Sequence, residues 1–352
     1  MGERQHLLND MYTLYGSLTG QKWKNLRLSA SGKSGDRPLP LPEPRWKAAV
    51  AQLDSKSPAL LVHGGSRSQN ESGEEYLSDV WKLELSAAVT GRGGWEPAQA
   101  SKNPGDGEPS ARRAHTLVAF QTTQQTNHTL VLFGGRSPDR AVLSDVWTAQ
   151  MDTWPVLRWT PAGPAAENDF FRRQRPSARK GHVAVAGELR GRTVMLVHGG
   201  RDDDTYMGDV WAFDVERQAW EPLKTSGDQP PPRDHHGGVF YNGFFYIFGG
   251  RTGEYHSQFV CLDDLWRLDL KVLRWDRVVG GGGNGKLPLA RFLYSSSTIV
   301  DAEGRAKFVV FGGETQFRCK LNDVWDLDLA TGLWTQWHQA TMSGMKCRQL
   351  LA

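Results

Sequence analysis

The chain has 352 residues, with Lys plus Arg 42 against Asp plus Glu 39, a formal net charge of +3, and 39% hydrophobic residues. That balance excludes a disordered chain and makes a nucleic-acid-coating role unexpected, while no apolar run approaches the roughly 20 residues that span a bilayer. The abnormal counts are 39 Gly, 18 Pro and 14 Trp, which call for many turns and many large flat side chains.

In chain order the first element is Leu8-Asn9-Asp10-Met11-Tyr12-Thr13-Leu14, followed by Trp23. The first of five similar units comes next. Each carries an apolar run ending in a glycine pair: Gly64-Gly65, Gly134-Gly135, Gly199-Gly200, Gly249-Gly250 and Gly312-Gly313. The pairs lie about 62 residues apart on average, longer than a minimal repeat of about 50, so inserted loops are expected. After each pair an Asp-x-Trp opens an alternating strand, with its Trp at 81, 147, 211, 266 and 325. A second Trp follows, at 95, 159, 220, 275 and 334. Ahead of each glycine pair lies another apolar stretch, introduced by Arg45, Arg112, Arg179, Arg233 or Arg291, and Asn242-Gly243 within one of these marks a two-residue hairpin turn. Each unit therefore predicts four short strands, a to d, over 45–95, 112–159, 179–220, 233–275 and 291–334.

These residues resemble the kelch repeat, whose signature is a glycine pair closing the second strand and spaced aromatics on the third and fourth. The resemblance covers nearly all of 1–352 and implies an all-β, kelch-type β-propeller of the galactose-oxidase-like central-domain superfamily. In such a fold Trp81, Trp147, Trp211, Trp266 and Trp325 fill the space between blades, and the glycines supply positive φ at sharp turns. Leu8 to Leu14 align with Leu321 to Leu327, so 1–28 reads as strands c and d of a sixth, composite blade. Residues 345–352 align with Arg179 to Ala186 as its strand a. Its glycine-pair strand b is missing, which makes a fragmentary chain the expectation.

Strand alternation places the b–c loops and the d–a connections at one end of a propeller. Several of these are long, such as Ser66 to Ser78 and Arg251 to Asp263, and long polar loops on a rigid scaffold are where binding usually lives. Arg67, Arg136, Arg201 and Arg251 follow the glycine pairs, with Glu314 breaking the series. The arginines before strand a lie at the same end, where the repeated Asp of Asp-x-Trp is their expected structural partner. Blade-specific residues there include Trp46, Lys47, Arg113, Lys180, His235 and Phe292. If exposed, they form an amphipathic, basic surface suited to an acidic or carboxylate-ended peptide. Phe170, Phe171 and Arg172 form a second candidate patch, whereas Asp202-Asp203-Asp204 reads as a solvated loop.

Some kelch-type propellers are enzymes, but the Glu-x-x-x-Asp-x-x-x-His iron motif of the nitrile-specifier group is absent, and the histidines recur at repeat positions or stand singly. Cys261, Cys319 and Cys347 have no Cys-x-x-Cys spacing, and neither a disulfide framework nor a zinc site is read from them. The start Met1-Gly2-Glu3-Arg4 lacks the apolar core of a leader, so the cytoplasm is expected. The sequence thus predicts a non-catalytic protein-interaction module or scaffold, with no metal or cofactor, resembling kelch substrate receptors of ubiquitin ligases. The alternative is a galactose-oxidase-like or sialate-epimerase-like enzyme or sugar-binding propeller.

Overall fold

A computed structural model describes residues 11–15, 22–26, 41–53, 58–69, 73–85, 94–101, 107–121, 128–163, 175–253, 259–279, 281–282, 286–301 and 303–338. The elements that lie wholly among them are all β-strands. The chain divides into two compact units, Met1–Ala165 with Ser177–Lys180, and Ala166–Pro176 with Gly181–Ala352.

The first unit contains a hairpin of β1 (Met11–Tyr15) and β2 (Lys22–Leu26), then two antiparallel blades. Blade 1 is β3 (Ala49–Leu53), β4 (Ala59–Gln69), β5 (Gly73–Glu84) and β6 (Trp95–Pro97). After β7 (Gln99–Ala100), blade 2 is β8 (Thr116–Gln121), β9 (His128–Arg136), β10 (Val142–Gln150) and β11 (Val156–Ala162).

The second unit contains three blades. Blade 3 is β12 (Val183–Leu189), β13 (Arg192–His198), β14 (Val210–Asp214) and β15 (Ala219–Leu223). After β16 (Ser226–Gly227), blade 4 comprises β17 (Gly237–Tyr241), β18 (Phe244–Phe248), β21 (Leu265–Asp269) and β22 (Arg274–Val278), with the ribbon β19 (Arg251–Thr252) and β20 (Val260–Cys261) inserted between its second and third strands. After β23 (Gly281–Gly282), blade 5 is β24 (Ser295–Val300), β25 (Ala306–Glu314), β26 (Lys320–Asp328) and β27 (Leu333–His338). The five expected four-stranded blades are therefore present.

Pattern and packing agree. Strand β9 is buried at eight consecutive positions, the pattern of a strand covered on both faces. One core in the first unit joins Ala49, Leu61 and Val80 of blade 1 to Leu117, Leu132 and Trp159 of blade 2. In the second unit, Leu196 and Val210 meet Phe245, Trp266 and Trp275, and Tyr246 and Leu265 meet Phe308, Trp325 and Trp334. Trp275 is wholly buried. Removing roughly 150–250 Å² of such a side chain from water is worth at most about 4–6 kcal/mol. Trp147 and Trp211 are only half-buried, so the first tryptophans are not equivalent wedges.

The glycine pairs turn the chain where no other residue fits. The first glycine has φ between 59° and 66° and the second between 89° and 99°, and a Cβ on Gly250 would lie 2.8 Å from the Asp234 carbonyl. Two features depart from the repeat pattern. Three d–a connections add a parallel edge strand to the following blade, β7 on β11, β16 on β22 and β23 on β27, which covers backbone groups that an edge would leave unpaired. Ser66 to Ser78 is also largely strand, with β4 and β5 running on past a bulge to a Gln69–Gly73 pairing. Of the described cysteines, Cys261 is a buried free thiol and the Cys319 side chain is buried. No helix among the described residues is long and apolar enough to cross a membrane.

Candidate functional site

The arginine before strand a is the repeating anchor of the candidate face. Arg112 donates from Nη1 and Nη2 to Asp145 Oδ1 and Oδ2 at 2.7 and 2.8 Å, and from Nη1 to the Gly134 carbonyl at 3.1 Å. Arg45 with Asp79, Arg233 with Asp264, and Arg291 with Asp323 repeat the bidentate pair. The Asp also accepts the indole N–H two residues on, as in Trp147 to Asp145 at 2.7 Å. Burial alone would raise the Asp145 pKa, but the hydrogen bond and charge of Arg112 hold it below the usual carboxylate range. Asp79 and Asp264 behave alike. Within each unit the backbone of the arginine is tied to the preceding blade where the second glycine's N–H reaches its carbonyl: Gly65 to Arg112 at 2.9 Å, Gly200 to Arg233 and Gly250 to Arg291 at 2.8 Å. These arginines are scaffold.

The next residue pairs with the one after the glycine pair of the same blade, giving bridges Trp46–Ser66, Arg113–Arg136, Asp234–Arg251 and Phe292–Glu314. Ser66, not Arg67, thus holds the position of Arg136 and Arg251. Arg67 lies one residue on, and a one-residue step in a strand sends the side chain to the opposite face. It binds Glu75 at 2.7 Å and Glu43 at 3.3 Å instead. The residue after that is left-handed in every blade: Lys47 (φ 54°), Ala114 (53°), Gly181 (64°), His235 (51°) and Leu293 (55°). Recurrence in all five blades marks this as fold geometry, not strain held for chemistry.

In the first unit Glu74 gathers several of these side chains. Glu74 accepts from Trp46 Nε1 at 3.0 Å and Ser66 Oγ at 2.6 Å, and pairs with Arg113, whose guanidinium lies 4.9 Å from the Tyr76 ring centre. Arg136 Nε donates to the Arg140 carbonyl at 3.1 Å. Lys47 is half-buried and Lys180 buried.

The second unit is different. Arg251 is bidentate on the fully buried Asp234, at 2.8 and 3.2 Å, and lies 5.1 and 4.8 Å from the ring centres of Phe259 and Phe292. Burial favours neutral Asp234, yet His235 at 2.8 Å and Arg251 hold its pKa well below the usual range. Phe292 is wholly buried and the His235 side chain is 9% exposed, so neither is the solvent-facing contact that their loop positions suggest. Both are built into the support of Arg251. Arg201 is more open, lying 4.0 Å from Asp234 and 5.3 Å from the Tyr206 ring centre. Arg318 and Lys320 share the buried Glu314 while their own side chains are each 65% exposed. Neither was singled out in the sequence. Arg318 lies in the tight turn Thr315 to Cys319, with φ 63°. Phe317 beside them is 66% exposed. Arg251, Arg201, Arg318 and Lys320 approach two buried carboxylates, Asp234 and Glu314, and the last two cations keep their heads in solvent. Phe170, Phe171 and Arg172 lie outside the described residues, as do residues 345–352. Asp202 Oδ1 accepts the backbone N–H groups of Asp204 and Thr205, which makes that acidic run a turn.

Residues 90–301 match the KLHDC2/KLHL20/DRC7 Kelch-repeats domain. Among curated proteins the chain is similar to acyl-CoA-binding domain-containing protein 4 of Arabidopsis thaliana, 26% identical over 313 residues covering 87% of this chain and 40% of that protein. It is also similar to F-box/kelch-repeat protein At1g51550 of Arabidopsis thaliana, 25% identical over 284 residues, 77% of this chain and 52% of that protein. A third is host cell factor of Drosophila melanogaster, 25% identical over 175 residues, 45% and 11% of the two chains. The chain spans about half or less of the length of these relatives. Five blades closed by paired glycines, the Arg–Asp clamp that repeats in them and the family match over residues 90–301 together establish that this chain belongs to the kelch-repeat β-propeller family.

Proposed function

We propose that this chain is a non-catalytic protein-interaction module that binds an acidic peptide, including a peptide C-terminus, through the b–c and d–a loop face of its second unit. The observation that carries this reading is Glu314, a buried carboxylate shared by two exposed cations, Arg318 and Lys320. One acid can neutralise only one of them, so an incoming carboxylate gains a charge-assisted hydrogen bond without breaking the Glu314 contact. Arg201 extends the basic surface, and Phe317 offers an apolar contact next to it. Kelch relatives whose names join the repeat to an F-box, and host cell factor proteins, favour a protein partner over a small substrate.

The β1–β2 hairpin belongs to the same proposal as strands c and d of a further blade. It sets Leu14 opposite Trp23, just as β26 and β27 set Leu327 opposite Trp334. The test of function is a titration of acidic and amidated peptides against the chain and its Arg318→Ala/Lys320→Ala variant. Tighter binding of the free-carboxylate peptides, lost in the variant, supports the reading; equal binding of both chains refutes it.

A further inference from the structure

The residue ahead of the glycine pair and the residue three beyond the next blade's arginine meet across the seam between blades. A second-type tryptophan of that next blade completes a three-ring stack. In the first unit these are His63, His115 and Trp159. His63 Nδ1 lies 2.8 Å from His115 Nε2 with the rings at 84°, and the Trp159 ring is centred 5.8 Å from that of His63. In the second unit His198, His236 and Trp275 repeat the arrangement, with a 2.9 Å contact, rings at 88° and centres 5.5 Å apart to Trp275. The seam between blades 4 and 5 has the same geometry without histidine: Phe248, Tyr294 and Trp334, with ring centres 6.0 and 5.0 Å apart. Tyr294 donates its hydroxyl to the Phe248 carbonyl and accepts the Gly237 N–H at 2.7 Å.

We propose that the His63–His115 and His198–His236 pairs are acid-sensitive latches between blades, and that the Phe248–Tyr294 seam is their pH-insensitive counterpart in the same molecule. A hydrogen bond between two imidazoles needs one donor and one acceptor nitrogen, which a doubly protonated pair lacks, and burial beside arginines opposes even the first proton. All four rings are buried. Around His63 stand Arg112 and Arg45, which oppose an added proton, and Asp79, which favours it and is already engaged by Arg45. Around His236 stand His198, Arg233, His182 and His235, all opposing it. Burial, followed by these neighbouring groups, lowers the His63 pKa to about 3 and that of His236 well below its ordinary value.

The sign follows directly. An unfolded histidine takes a proton near pH 6.5, and the folded latch refuses it. Stability is therefore full above about 6.5 and falls as pH drops toward the folded value. Ordinary carboxylates add their own dependence only near pH 4 and below, which leaves pH 6.5 to 5 as a window for the latches.

The test replaces each pair by its counterpart, His63→Phe with His115→Tyr, and His198→Phe with His236→Tyr, and follows denaturant unfolding from pH 7.5 to 5. For wild type the folding equilibrium constant is expected to fall up to about tenfold per pH unit for each of His63 and His236, and each double variant should lose its share of that slope. Equal slopes in wild type and both variants overturn the proposal. Hydrogen exchange of the wild-type chain, corrected for intrinsic rates, gives a second reading that needs no variant to fold. Lowering the pH should expose amides of β4, β8 and β13 before those of β25 and β26. Uniform loss of protection overturns the latch.

Discussion

Arg291 and Asp323 form a bidentate pair at 2.7 and 2.8 Å in which the arginine side chain is wholly buried and the aspartate 3% exposed. The Arg291 carbonyl accepts from Gly250 of the blade before, and its guanidinium reaches the Gly312 carbonyl of its own blade. One residue therefore carries both the shape of a blade and its attachment to the preceding one.

Removing one member leaves the other buried without its ionic partner. Arg291→Ala should destabilise the chain by about 3–5 kcal/mol, the usual consequence of leaving a buried charge unpaired, as read by denaturant unfolding. Arg291→Lys should recover only part of this, since an ammonium cannot reproduce the two-pronged contact.

Glycine substitutions should sort by position. Gly250→Ala forces a Cβ to within 2.8 Å of the Asp234 carbonyl at φ 89° and should lose stability by at least ~1–3 kcal/mol. Gly191→Ala, at φ 72° with nothing within 4 Å, should lose only about 1 kcal/mol. Parallel melts of the two variants check the contrast.

The clamp aspartates set the acid limit. The folded pKa values of Asp79, Asp145 and Asp264 are lowered, with arginine hydrogen bonds outweighing the effect of burial, so in the unfolded chain these groups protonate first, near pH 3.9. Their stabilisation is complete above that value and is lost as pH falls through the folded pKa values. Acid titration of Arg112→Gln, read by tryptophan fluorescence, should show a shallower loss below pH 4 than wild type.

Much of the fold was legible because each blade repeats the same chemistry five times. Paired glycines, Asp-x-Trp and the arginine before strand a recur in register, and the Arg–Asp pairing could be anticipated from charge alone. What repetition hides is the backbone. The Gly65 N–H to Arg112 carbonyl bond carries no side-chain signature, nor do the parallel edge strands such as Gln99–Ala100. The site was less legible because exposure depends on neighbours far away in sequence. Phe292 looks like a rim residue until Arg251 is laid on its face, and Arg67 looks equivalent to Arg136 until the strand pairing shows that Ser66 takes that place.

The interaction face is tested most directly by the salt dependence of acidic-peptide affinity in wild type and in Arg201→Ala/Arg318→Ala/Lys320→Ala. These side chains are 26%, 65% and 65% exposed, so the variant should melt close to wild type. The account predicts a loss of affinity of tenfold or more together with a flatter dependence on salt. Unchanged affinity and an unchanged salt slope in a folded variant would contradict it.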